Sequence, residues 1–196
     1  MPLILRKNVA GAEIYLWQLT ETESELTALV RAEDAVSAES FTSAARRRER
    51  LAWRAALRAS GIDAEVGYSA EGAPFIVGSG KCLSVSHCAG MACVALSDSR
   101  CGVDVEAANR DCSRVSSRFM TAGERSLMGG KSDSGVVVWC AKEALYKYAG
   151  RRGLDFLADM RIIGRSKSGL RAVVAGEKVT VHILRELGYV VAVAKG

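Results

Sequence analysis

Apolar and polar positions along this chain change rhythm several times, and each rhythm predicts an element. Residues 12–19 read as a first strand. Thr22 and Glu25 have the spacing of a capping box ahead of Leu26, Leu29 and Val30, which recur at helical intervals. A long helix is expected over roughly 40–60, ending at Gly61. Its first half is Arg46-Arg47-Arg48-Glu49-Arg50, and Leu51, Ala52, Ala55 and Leu57 supply an apolar side. Residues 64–78 read as extended, with a turn at Glu71-Gly72-Ala73-Pro74. Residues 82–87 and 91–97 read as two strands joined around Ala89-Gly90, a hairpin signal.

Gly102-Val103-Asp104-Val105-Glu106 alternates again and predicts a short strand. After a polar loop, Thr121-Ala122-Gly123-Glu124 is a second capping box and opens a short helix. The Gly-Ser-rich run 129–135 reads as a flexible connection. A helix over 136–149 follows and stops at Gly150. Strands are expected over 178–184 and 189–194, with a turn at Glu186-Leu187-Gly188. The chain also echoes itself. Leu83-Ser84-Val85-Ser86-His87 precedes Gly90-Met91-Ala92-Cys93-Val94, just as Val179-Thr180-Val181-His182 precedes Gly188-Tyr189-Val190-Val191. The echo suggests a duplicated unit, with halves 1–98 and 99–196.

Composition narrows the picture. At 196 residues, 49% hydrophobic, 25% charged and with 2 prolines, the chain is globular and long enough to bury a core. A net charge of +5 favours an anionic ligand but is too weak to diagnose nucleic-acid binding. The arginine-rich helix has Trp53 alone for aromatic interleaving, so no nucleic-acid partner is expected. Six cysteines occur without a Cys-x-x-Cys, and several lie in apolar runs. That pattern fits reduced thiols in a cytoplasmic protein. The first residues do not have the form of a signal peptide, and the longest uncharged stretch, Cys82 to Ser97, is too short to span a membrane.

The acidic residues carry the candidate chemistry. Asp104 and Glu106 lie two apart on a strand and project from one face. Glu143 and Lys147 lie four apart and share a helix face. Either pair alone is a solvated strand face or an ordinary helical ion pair. Together, three carboxylates with an ammonium beside them can hold a hard divalent ion while it grips phosphate oxygens.

The combined pattern resembles the 4′-phosphopantetheinyl transferase superfamily. That family has a Gly-Ile/Val-Asp-Ile/Val-Glu strand, here Gly102 to Glu106, and a Trp-x-x-Lys-Glu-Ala/Ser-x-x-Lys helix, here Trp139 to Lys147. Ahead of these it has Ser-x-Ser-His, here Ser84 to His87. Between them stands a phenylalanine followed by an acid, here Phe119 and Glu124. After the helix comes a Gly-Leu pair, here Gly153-Leu154. Order and spacing agree over residues 72–156.

The resemblance implies an α+β fold of the single-chain, surfactin-synthetase-activating type. Two similar halves, each a helix plus a small antiparallel sheet, would be related by a pseudo-two-fold, with the active site in the cleft between them and the chain acting as a monomer. It implies transfer of phosphopantetheine from coenzyme A to a serine of an apo acyl or peptidyl carrier protein, releasing 3′,5′-ADP. Asp104, Glu106 and Glu143 would hold Mg²⁺. Glu143 would also serve as base, and Lys147 would stabilise the leaving phosphate. Coenzyme A would be bound by Ser86, His87, Pro74 and arginines of the basic helix, with Arg47 and Arg50 as candidates for the 3′-phosphate. One departure stands out: Gly72-Ala73-Pro74 occurs where the family has Gly-Lys-Pro, so either cofactor affinity would be lower or a neighbouring cation would take over that lysine's task. The alternative reading is a non-catalytic carrier-protein-binding homologue.

Overall fold

The computed structural model describes residues 2–196. In the first half, strands β1 (Leu3–Val9) and β2 (Ala12–Gln18) form a hairpin, followed by helices α1 (Glu23–Thr27), α2 (Ala32–Glu39) and α3 (Ala44–Ala59). A small ribbon of β3 (Val66–Tyr68) and β4 (Pro74–Ile76) leads to the hairpin β5 (Cys82–Cys88) and β6 (Met91–Ser97). In the second half come β7 (Cys101–Ala107), α4 (Ala122–Met128), α5 (Ser134–Ala149) and strands β8 (Met160–Ser166), β9 (Gly169–Val174), β10 (Glu177–Glu186) and β11 (Tyr189–Lys195).

The architecture is α+β. One sheet has the order β1-β2-β6-β5, and the other has β7-β11-β10-β9-β8. The paired strands in both are antiparallel. The same connection recurs: a lead strand (β2 or β7), a 16-residue helix (α3 or α5), then a hairpin whose second strand returns beside the lead strand.

Each long helix covers one sheet. Leu51, Ala52, Ala55 and Ala56 of α3 pack with Tyr15, Val94 and Leu96, while Val137, Ala141, Ala144 and Leu145 of α5 pack with Val181, Val190 and Ala192. A third apolar layer joins the sheets through Ile14, Leu16, Cys93, Val103, Val105 and Val191. At this seam β5 lies along β7. The Val103 N–H donates to Ser84 Oγ at 2.9 Å and the Val105 N–H to Ser86 Oγ at 3.3 Å. Two serines thus satisfy strand amides that face another sheet. Gly102 allows α5 to lie directly on β7. A Cβ there would collide with the Ala144 carbonyl and come within 2.5 Å of the Tyr148 nitrogen.

Several expected boundaries shift. Both capping boxes form, at Thr22 and Thr121. The helix expected over 40–60 begins at Ala44, with Ser43 as N-cap. Ser40 Oγ donates to the Ser37 carbonyl at 2.8 Å and Ser43 Oγ accepts from the Arg46 N–H at 3.5 Å, side-chain bonds that break what would otherwise be one helix. Helix α2 and strands β1, β8 and β9 add to the expected set. In β8, Met160, Ile162 and Gly164 point inward while Arg161, Ile163 and Arg165 point out, so an exposed isoleucine blurs the alternation.

Candidate active site

The residues singled out in the sequence meet across the seam. Strand β7 presents Asp104 and Glu106, and α5, held close by Gly102, presents Glu143 and Lys147 on the turn above. All four line a cavity of about 640 Å³. Its opposite wall comes from α3 and β5, and includes Arg46, Glu49, Arg50, Ser86 and His87.

Asp104 is buried, and its Oδ1 accepts from Ser86 Oγ at 2.7 Å and from Lys147 Nζ at 2.8 Å. Its Oδ2 is buried without a hydrogen-bond partner. The Lys147 ammonium also donates to the Val103 carbonyl at 3.0 Å, which fixes its position over β7. Glu106 Oε1 accepts from Trp139 Nε1 at 2.9 Å and from the Arg110 guanidinium. Trp139 is steadied by an edge contact with Phe119 at 5.1 Å and by stacking on Phe156 at 5.5 Å. The aromatic residues of the motif therefore orient an acid.

Burial, reinforced by the charge of Asp104, holds Glu143 above the usual carboxylate range, with Lys147 opposing. Burial raises Glu106 as well, with Asp104 adding to the effect and the Trp139 bond countering it. Burial pushes the His87 imidazole down, although Glu49, 3.1 Å from Nδ1, pulls it back. Closely spaced acids whose ionised forms are disfavoured are a common mark of a functional site.

Among the described residues, no group of three acids, histidines or cysteines forms a ready metal shell. The physical reason lies in the partners: Lys147 sits on Asp104, and Arg110 and Trp139 occupy Glu106. The donor set still suits a hard cation. Asp104 Oδ2 is an unused oxygen, and Glu143 lines the same cavity with its ionised form disfavoured by burial and then by Asp104. A divalent ion would relieve both.

The basic helix divides its arginines. Arg50 lines the cavity, donates to Ser37 Oγ at 2.9 Å and to the Tyr68 hydroxyl, and lies among the Phe41, Trp53 and Tyr68 rings. Arg47 does not line it. Its guanidinium pairs with Glu23 at 2.7 Å and donates to the Phe41 and Thr42 carbonyls at 2.9 and 3.1 Å, tying α3 to α1 and the loop before it. Arg46, Glu49 and Trp53 line the cavity without having been singled out. With Arg50 they occupy positions i, i+3, i+4 and i+7, the spacing of a single helical face. Pro74 lines the cavity too, next to Gly72.

Two charges of the pattern serve the fold. Lys142 is fully buried and bonds Glu124 at 2.8 Å and the Phe156 carbonyl at 2.7 Å. Glu124 in turn accepts from the amides of Thr121 at 2.8 Å and Ile162 at 2.9 Å.

Residues 100–194 match a family model described as the 4′-phosphopantetheinyl transferase superfamily. The matched span contains Asp104, Glu106, Glu143 and Lys147, while α3 and β5 lie ahead of it. No curated protein matches the chain.

Proposed function

We propose that this chain, a member of the 4′-phosphopantetheinyl transferase superfamily, moves phosphopantetheine from coenzyme A to a serine of an apo acyl or peptidyl carrier protein. One observation carries the reading. Three carboxylates and an ammonium from β7 and α5 line the same cavity as Arg46, Arg50 and His87 from the other half. Acids suited to a divalent ion thus face cations suited to a phosphorylated cofactor.

The serine hydroxyl is a weak nucleophile and needs a base. Glu143 is the proposed base, since its raised affinity for a proton suits it to accept one. The serine oxygen forms a bond to the phosphorus that carries pantetheine, and the bond from that phosphorus to the bridging oxygen breaks. 3′,5′-ADP leaves. Lys147, held by Val103 and Asp104, faces the leaving phosphate and stabilises its growing charge. Asp104, Glu106 and Glu143 are the proposed holders of Mg²⁺, which when bound supplies Lewis-acid neutralisation of the pyrophosphate. Ser86, His87, Arg50 and Pro74 are the proposed coenzyme contacts. Arg46, on the same face, is a better candidate than Arg47 for the 3′-phosphate, because Arg47 is committed to Glu23.

The reading includes the architecture. Residues 1–98 would be the coenzyme side and 99–196 the metal side, related by a pseudo-two-fold as in the surfactin-synthetase-activating type. The shared orders β2-β6-β5 and β7-β11-β10 support this. A cavity walled by both halves of one chain supports a monomer. Six free thiols support a reducing, cytoplasmic setting. No helix among the described residues is long and apolar enough to cross a membrane.

The test is incubation of the protein with coenzyme A, Mg²⁺ and a panel of apo carrier proteins, followed by intact mass measurement. A phosphopantetheine adduct on a carrier serine is expected. Folded protein that binds coenzyme A yet modifies no carrier would favour the non-catalytic homologue.

A further inference from the structure

A second cavity of about 520 Å³ lies at the start of α5 and shares no lining residue with the active-site cavity. Its walls are the loop after β7, Arg125 of α4 and the 130–136 run that opens α5. Three cations line it, Arg110, Arg125 and Lys131, against two acids, Asp111 and Asp133. The Asp133 carboxylate is already neutralised, because Arg185, outside the lining, holds it at 2.6 and 3.0 Å. Arg110 is shared with Glu106, and Arg125 donates to Ser116 Oγ at 3.1 Å.

Two independent features of this cavity call for an acceptor. The first amides of a helix have no partner within it. Asp133 stands at the N-cap of α5, yet its side chain makes no capping bond, and the first turn carries no acid. A 16-residue helix thus presents the positive end of its dipole uncompensated. The second feature is Ser134, which lines the cavity and is only 8% exposed. Its Oγ is buried without a hydrogen-bond partner. A buried hydroxyl left unpaired is costly, and a ligand oxygen that accepts from it removes the cost.

We propose that this cavity binds the phosphate group of a small phosphomonoester. None of its lining residues is among the proposed metal, base or coenzyme contacts, so the inference stands apart from the transferase reading. The phosphate oxygens accept from the amides that open α5 and from Ser134 Oγ, while Lys131 and Arg125 balance the charge. The cavity has room for more than the phosphate. No aromatic ring lines it, in contrast to the active-site cavity with Phe41, Trp53 and Tyr68, so a nucleotide base finds no stacking surface. Asn109, Asp111 and Ser113 instead offer hydrogen-bond partners to a hydroxylated body.

Calorimetry with inorganic phosphate and with glycerol 3-phosphate, in a chloride buffer of constant ionic strength, tests the assignment. Glycerol 3-phosphate should bind at least as tightly as inorganic phosphate. Ser134→Ala should weaken both by about tenfold. Lys131→Ala should act in the same direction with a smaller effect. Hydrogen exchange on the unaltered protein locates the site without any variant. Glycerol 3-phosphate should protect the amides of residues 134–137 at the start of α5. Protection confined to residues 46–50 and 85–87 would place the anion in the active-site cavity and overturn the proposal. Failure of the unaltered protein to bind either probe, or parent-like affinity in Ser134→Ala, would overturn it too. Binding of inorganic phosphate with glycerol 3-phosphate excluded would refute the monoester assignment.

Discussion

Lys147 and Glu143 lie on one turn of α5, yet their surroundings give them different chemistry. The ammonium has two fixed acceptors, the Val103 carbonyl and Asp104 Oδ1. The Glu143 carboxyl is half-buried beside other acids and holds its proton more strongly than usual. Glu143→Gln keeps the shape but removes both charge and base, so kcat should fall by roughly 10²–10⁴-fold with the melting temperature little changed. Lys147→Ala removes a group that acts as charge develops on the leaving phosphate. It should cost roughly 10²-fold in kcat while the KM for coenzyme A moves little. Steady-state kinetics with a carrier substrate checks both. Parent-like kcat in either variant would return that residue to an ordinary helix surface.

Between elements, the decisive contact is β7 against α5. Gly102 opens the strand motif, and the Ala144 carbonyl and Tyr148 nitrogen lie where its side chain would be. Gly102→Ala should push α5 off the strand by a few tenths of an ångström or more. Overpacking of this kind typically costs about 1–3 kcal/mol. Because α5 carries Glu143 and Lys147 toward Asp104, activity should fall further than stability alone explains. Chemical denaturation together with kinetics on the folded fraction separates the two effects, and a variant with parent-like values for both would refute the close-packing account. The buried Lys142–Glu124 pair acts at the same scale. Burial presses the Lys142 pKa down, and Glu124 opposes it while capping α4 and accepting the Ile162 amide of β8. One acid thereby ties α4, α5 and β8 together.

Across the whole molecule, stability should depend on His182, half-buried on β10. Burial holds its pKa below 6.5, and no charged partner offsets that effect. The unfolded chain therefore binds a proton that the folded chain resists. Below the depressed pKa the penalty is complete, and it disappears as pH rises through 6.5. His182→Gln should flatten the loss of stability on the acid side and leave stability above that value nearly unchanged. Denaturation midpoints for parent and variant from pH 5 to 8 (roughly the range over which histidine titrates) test this. Parallel pH profiles would exclude His182 as a source.

The sequence alone determined the features set by neighbours along the chain. Strands β5 and β10 carry period-two alternation, β2, β6 and β11 are short apolar runs bounded by turn residues, and both capping boxes are local hydrogen-bond patterns. The Gly-x-Asp-x-Glu strand and the Lys-Glu helix were equally legible, because their spacings fix which residues share a face. The tertiary structure decided what each face meets. Only the packing of α3 reveals that Arg46 and Arg50 turn to the cavity while Arg47 turns to Glu23. Only the seam between the sheets brings Ser86 to Asp104, and only the β7–α5 approach brings Lys147 there. The same holds for the second cavity, whose walls come from the loop after β7, from α4 and from the start of α5. Local periodicity states how a side chain projects from its own element. Its partner is fixed by burial of the apolar layers, which brings distant segments together at a register no short window contains.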